Sequence, residues 1–190
     1  FTVEAGNVMM LTVDDAITAA KRNSDASGQV CINGALDIGG CNQTFWEFSG
    51  TGVVASASAP ATIEVQGRET ETLACGMSFG SGVSLNITSG SYALGADSTS
   101  EGVLSVSGTG TLSLDSGAQW PNGTLAVLND AAVELCDGTH RFNRFFIGEQ
   151  EIPAGIYSAS SAPAVVAAVL KGSGRLAIGG AKPGLILLFR

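Results

Sequence analysis

Side chains able to do chemistry are few and widely spaced. His140 is the only histidine, in Thr139-His140-Arg141-Phe142, with Glu134 and Asp137 just upstream. A hydrolase would use such a histidine as a general base oriented by a carboxylate. No Gly-x-Ser-x-Gly elbow supplies a nucleophile for it. His140 is therefore read as a surface turn residue. Acids are the second candidate set: Asp115, Asp130, Glu134 and Asp137. Paired acids cleave glycosidic bonds, and an acid cluster can hold calcium for polysaccharide cleavage. With a repeat near 20 residues, Asp115 and Glu134 would fall in comparable positions one coil apart. Asp130 and Asp137 adjoin Asn129 and Gly138, which are ordinary turn positions. We expect no enzyme, and a polysaccharide lyase or glycoside hydrolase is the catalytic alternative.

Cysteines stand at 31, 41, 75 and 136. No Cys-x-x-Cys pair occurs and His140 is far from Cys31 and Cys41, so no metal or other cofactor is expected. An even cysteine count in a Lys-poor, Ser/Thr/Gly-rich chain points to an oxidising compartment. The short loop from Cys31 to Cys41 encloses Asn33-Gly34 and Gly39-Gly40, which can fold it back for a disulfide. Cys75 and Cys136 lie 61 positions apart, about three coils or roughly 14 Å of stacked strands. A disulfide needs Cα atoms within about 7 Å. That bridge forms only if one cysteine leaves the stack, as the polar stretch Gly67–Thr72 would allow.

Trp46, Phe48, Tyr92, Trp120 and Tyr157 could form a platform for sugar faces. In Thr44-Phe45-Trp46-Glu47-Phe48, alternation puts Trp46 and Phe48 on one face and Phe45 and Glu47 on the other. Trp120 precedes Pro121, so a partly exposed turn position is expected for it. Ligand binding is thus assigned first to Trp46, Trp120 and Tyr92, with a cell-surface glycan as the ligand class. Three Asn-x-Ser/Thr triplets start at Asn42, Asn86 and Asn122, which matter only on a eukaryotic secretory route. Gly80-Ser81-Gly82 and Gly108-Thr109-Gly110 lack a following helix and read as turns, not phosphate loops.

The elements that must carry these residues are short strands. Of 190 residues, 45% are hydrophobic, 14% charged and 26 are Gly. Such a chain can bury a core, unlike a disordered one. The net charge is −8, and the nine Lys and Arg are scattered. Nucleic acid, which needs a basic stripe, is excluded as a partner. Anionic membrane surfaces are disfavoured on the same ground. No apolar run approaches the roughly 20 residues that span a bilayer. Phe1, in place of an initiator Met, leads us to expect a processed N-terminus.

Residues 1–30 read as a strand at Val8–Val13 followed by a capping helix at Ala16–Arg22, acidic before it and basic at its end. Residues 31–180 read as short alternating strands. The pattern is clearest from 82 to 136, where Gly82, Gly102 and Gly123 each open a pair of strands. Steps of 20 and 21 predict an all-β parallel β-solenoid with inward Val, Leu and Ile and outward Ser, Thr and Asn. An antiparallel β-sandwich is the alternative, since its strands also alternate. Residues 181–190 form an apolar tail. Its Leu185, Ile186, Leu187, Leu188 and Phe189 could add a strand to a sheet edge and serve self-association.

The C-terminal third carries Asp137-Gly138, then Pro153-Ala154-Gly155-Ile156-Tyr157, then Gly172-Ser173-Gly174-Arg175-Leu176-Ala177-Ile178. Over residues 82–180 this order resembles the closing module of secreted bacterial β-helix proteins of the autotransporter-passenger type. The resemblance implies a bacterial protein that is exported or at the cell surface. It is nearly silent on activity. No membrane barrel of the kind autotransporters carry is expected within these residues. The expected role is a scaffold, filament subunit or adhesin-like protein, acting through a rigid surface and end-to-end association. A carbohydrate-binding module is the competing expectation.

Overall fold

The computed structural model describes residues 2–12, 29–56, 59–66, 72–75, 78–80, 82–94, 101–116 and 118–179. The expected capping helix at 16–22 and the tail at 185–189 lie outside them.

The chain winds as a parallel β-solenoid with three faces. The first face begins with β1 (Thr2–Val3), β3 (Gln29–Ile32) and β6 (Glu47–Ser49) and continues through β9 (Thr72–Cys75), β12 (Ser91–Leu94), β14 (Thr111–Leu114), β16 (Ala132–Leu135) and β20 (Leu170–Gly172). The second begins with β2 (Val8–Met10), β4 (Ala35–Asp37), β7 (Val53–Ala55) and β10 (Ser78–Phe79). The third stacks β5 (Gln43–Phe45), β8 (Ala61–Gln66), β11 (Val83–Ser89), β13 (Val103–Val106), β15 (Gln119–Val127) and β17 (Thr139–Ile147). Strands β15 and β17 are long because each turns a corner. Their register breaks between Trp120 and Thr124, and their first residues belong to the second face.

Alternation builds the bore. Ile63, Leu85, Leu104, Leu125 and Phe145 pair in register from coil to coil, and each is fully buried. These pairs are 22, 19, 21 and 20 residues apart, so the repeat tolerates a residue or two of slack at the corners. On the first face Tyr92, Leu112, Val133 and Leu170 form a second inward ladder. Each side chain buried this way contributes about 1.5–3 kcal/mol of transfer free energy. Outward polar residues bond across coils. Ser105 Oγ donates to Asn86 Oδ1 (3.0 Å), and Thr62 N–H donates to Asn42 Oδ1 (2.8 Å).

Pairing between successive coils is parallel, which rules out the sandwich. Antiparallel pairing appears only near the C-terminal end of the described residues. There β18 (Gln150–Glu151) folds back on β17, and β19 (Gly155–Tyr157) pairs with β21 (Arg175–Ile178), which itself stacks on β17. The two C-terminal sequence motifs thus pair with each other, with Ile156 opposite Ala177. The Tyr157 hydroxyl donates to the Pro153 carbonyl at 2.6 Å and closes the turn. A single helical turn, α1 (Ala164–Ala167), sets Val166 into the core. Ala-Val-Val-Ala carries neither a side-chain cap nor charges, so nothing in its sequence marks it as helical.

Candidate functional site

The coils separate residues that looked like neighbours. Leu114 pairs with Leu135, so Asp115 stacks on Cys136, while Glu134 lies between Ser113 and Lys171. The expected Asp115–Glu134 pair is therefore out of register by two residues. Asp115 Oδ1 instead faces the Cys136 thiol at 3.8 Å, and Ser113 Oγ lies 3.7 Å from the same sulfur. Asp137 accepts a hydrogen bond from Ser173 Oγ on the next coil. Asp130 occupies a left-handed turn with Asn129, at φ 61° and 51°. Among the described residues no three His, Cys, Asp or Glu side chains gather as metal ligands.

His140 is not a surface turn residue. It lies within β17, fully buried, above Gln119's coil and beneath Leu176. Its Nε2 lies 3.0 Å from the Cys136 carbonyl, and its Nδ1 has no partner among the described residues. Alternation explains the placement. Thr139 and Arg141 point outward, so His140 and Phe142 point into the bore. A histidine sealed in this way reaches no substrate.

The aromatic platform also dissolves. Trp120 and Tyr92 are among the largest fully buried side chains. The Trp120 ring sits 5.7 Å from Phe79 and 6.2 Å from Phe142, centroid to centroid. Trp46 is half-buried, and Phe45 beside it is in the core. Neither Trp120 nor Tyr92 offers a face to a sugar.

The disulfide expectations fail as well. Cys31, Cys41 and Cys136 are free thiols. Cys31 lies in β3 on the first face, and Cys41 lies past β4, at the approach to the third, so one coil holds them on different sides. Cys75 ends β9 in regular register, with Leu94, Leu114 and Leu135 stacked in turn above it. It makes no excursion, and about 14 Å of stacking separates it from the coil of Cys136. Alkylation of the unfolded, unreduced protein should modify Cys31, Cys41 and Cys136, read by peptide mass spectrometry. Reducing agent should leave the melting temperature unchanged.

Among the described residues a groove of about 460 Å³ lies outside β17, β21 and β19. Thr139, Arg141, Ile156 and Ala177 are among its walls. Arg141 and Arg175 are exposed and form no ion pair among the described residues. Arg144, on the adjacent face, is different: it donates two hydrogen bonds to Glu151 (2.8 and 2.9 Å) and covers the Phe146 ring at 4.7 Å. Those hydrogen bonds hold the Glu151 carboxyl below its ordinary range and raise the Arg144 guanidinium. The clamp is therefore present at neutral pH and is released as pH falls through the lowered Glu151 value. Sequence reading missed Arg141 and this groove, because only the fold brings residues 139–141, 154–156 and 177–179 together. No helix among the described residues is long and apolar enough to cross a membrane. No protein-family model, curated protein or solved structure matches the chain.

Proposed function

We propose that this chain is a structural module, exported or displayed at a cell surface, that works as a rigid solenoid and assembles with copies of itself. The observation that carries this reading is the distribution of exposed apolar side chains. Val8, Met10 and Val53 are all at least half exposed and lie together on the second face, in β2 and β7, while Ile156 is exposed on β19 nearer the other end. Large apolar groups gathered in this way mark an interaction surface. At the N-terminal end β1 and β2 are the last strands of their sheets, whereas β18, β19 and α1 pack over the other end. Export is supported by the Lys-poor, Ser/Thr-rich composition and by the C-terminal resemblance; with three thiols free, the cysteines add nothing to it. The test is the mass of the native protein by light scattering across a concentration series, with electron microscopy. A mass that rises to a multiple of 19.1 kDa is expected. A 19.1 kDa species at every concentration overturns the reading.

A further inference from the structure

The groove on the last coils lies over the face of the sheet, not at its edge. Arg141 of β17, Ala177 of β21 and Ile156 of β19 are paired in turn across three strands. Arg141 and Ile156 are exposed walls, and Ala177 is the floor between them. Ala154, Gly155 and Gly179 extend that floor. A Cβ at Gly179 would stand 2.8 Å from the Ala154 Cβ, so larger residues would close this end. The turn that carries the Ile156 wall is held by the Tyr157 hydroxyl, which donates to the Pro153 carbonyl at 2.6 Å. The groove is thus preformed, and its volume of about 460 Å³ is that of a small-ligand site.

Charge sets the ligand class. Arg175 pairs with Thr139, another wall of the groove. That makes it the diagonal neighbour of Arg141, about 8 Å away between Cα atoms. Both side chains are exposed, and neither guanidinium has an ion pair or hydrogen bond among the described residues. The acids nearby are engaged elsewhere: Asp137 accepts from Ser173 Oγ, and Glu151 holds Arg144. The Gln119 amide, next to Arg141 on β15, donates to the Thr139 carbonyl (3.0 Å). In a chain of net charge −8, two free guanidinium groups beside a preformed groove select an anion. Backbone groups under the groove are used within the sheet, so an extended peptide gains no main-chain hydrogen bonds there. A nucleic acid needs a longer basic stripe. The ligand that fits is compact, with an acidic group for the arginines, hydroxyls for Thr139 and a C–H face for Ala177 and Ile156. An acidic sugar has all three.

We propose that this groove binds acidic sugar units of a polysaccharide, with Arg141 and Arg175 on the carboxylate or sulfate group and Ala177 and Ile156 under the ring. The site is separate from the Val8, Met10 and Val53 patch, so sugar binding and self-association stand or fall independently.

Isothermal titration calorimetry of the full chain tests it, with trigalacturonate, the neutral methyl ester of trigalacturonate, a sulfated galactose oligomer and inorganic sulfate as probes. At least one acidic oligomer should bind about tenfold or more tightly than the ester, and which one binds identifies the acidic group. Arg141→Ala should weaken that binding about tenfold. Ala177→Glu fills the floor and offers the arginines a carboxylate of the chain itself, so it should abolish binding. Both positions face outward, and circular dichroism checks that each variant keeps its β fold. The proposal falls if neither acidic oligomer binds at about 5 mM, if the ester or inorganic sulfate binds as well as the acidic oligomers, or if Arg141→Ala leaves the affinity unchanged.

Discussion

Replacing Trp120 with Ala should cost about 3–5 kcal/mol and melt the C-terminal coils first. Trp120 is the largest fully buried side chain, stacked between Phe79 and Phe142. Those rings come from three different coils, so the indole ties together strands that are neighbours only through the stack. Its loss leaves a cavity too large for the corner to close, because parallel ladders above and below fix the strand positions. Trp120→Phe should be far milder, about 1–2 kcal/mol. Phe keeps much of the stacking and removes the indole N–H, which has no partner among the described residues. Thermal unfolding of the two variants checks the contrast. Equal losses for Phe and Ala would show that the stacked core does not set stability here.

That tryptophan also shows where sequence reading stopped. Period and alternation were legible. Gly82, Gly102 and Gly123 mark coils whose strands do pair in parallel, and the inward residues between them are in the bore. A solenoid repeats one local rule, so its body can be read from short segments. Corners obey no such rule. Trp120-Pro121 reads as a turn with Trp120 partly exposed, yet β15 runs through it and only the register breaks, leaving Pro121 outside and Trp120 inside. His140 was missed for the same reason, although the alternation of Thr139, His140, Arg141 and Phe142 already assigned it inward once Phe142 was placed in the core. Slack of one or two residues per coil is also enough to uncouple Asp115 from Glu134, because the register of β14 on β16 sets Asp115 over Cys136, two positions past Glu134. Arg141 carried no assignment, because Ala154, Gly155 and Ile156, which complete its groove, come from a coil excursion whose return point no periodicity predicts.

Gly102→Ala should be nearly as damaging as the loss of Trp120, although it adds one methyl group. A Cβ at Gly102 would stand 1.9 Å from the Val83 carbonyl oxygen and 3.0 Å from that of Gly80. Both obstacles are backbone of the preceding coil, so no side chain can rotate away. To admit the methyl, β13 must lift off β11, and the Thr124 N–H bond to the Gly102 carbonyl (3.1 Å) must lengthen or tilt with it. Overpacking of a rigid site costs about 3 kcal/mol. Gly148 provides the control. It needs a positive φ of 59°, but nothing lies within 4 Å of its added Cβ. Asn tolerates that conformation, so Gly148→Asn should cost about 1 kcal/mol or less. Denaturant melts of the two variants separate the explanations. A large loss at 102 with a small one at 148 means that the recurring glycine is kept for close approach of stacked coils. Equal small losses would mean that the coils can part at that corner, and that the spacing of Gly82 and Gly102 reflects turn chemistry alone.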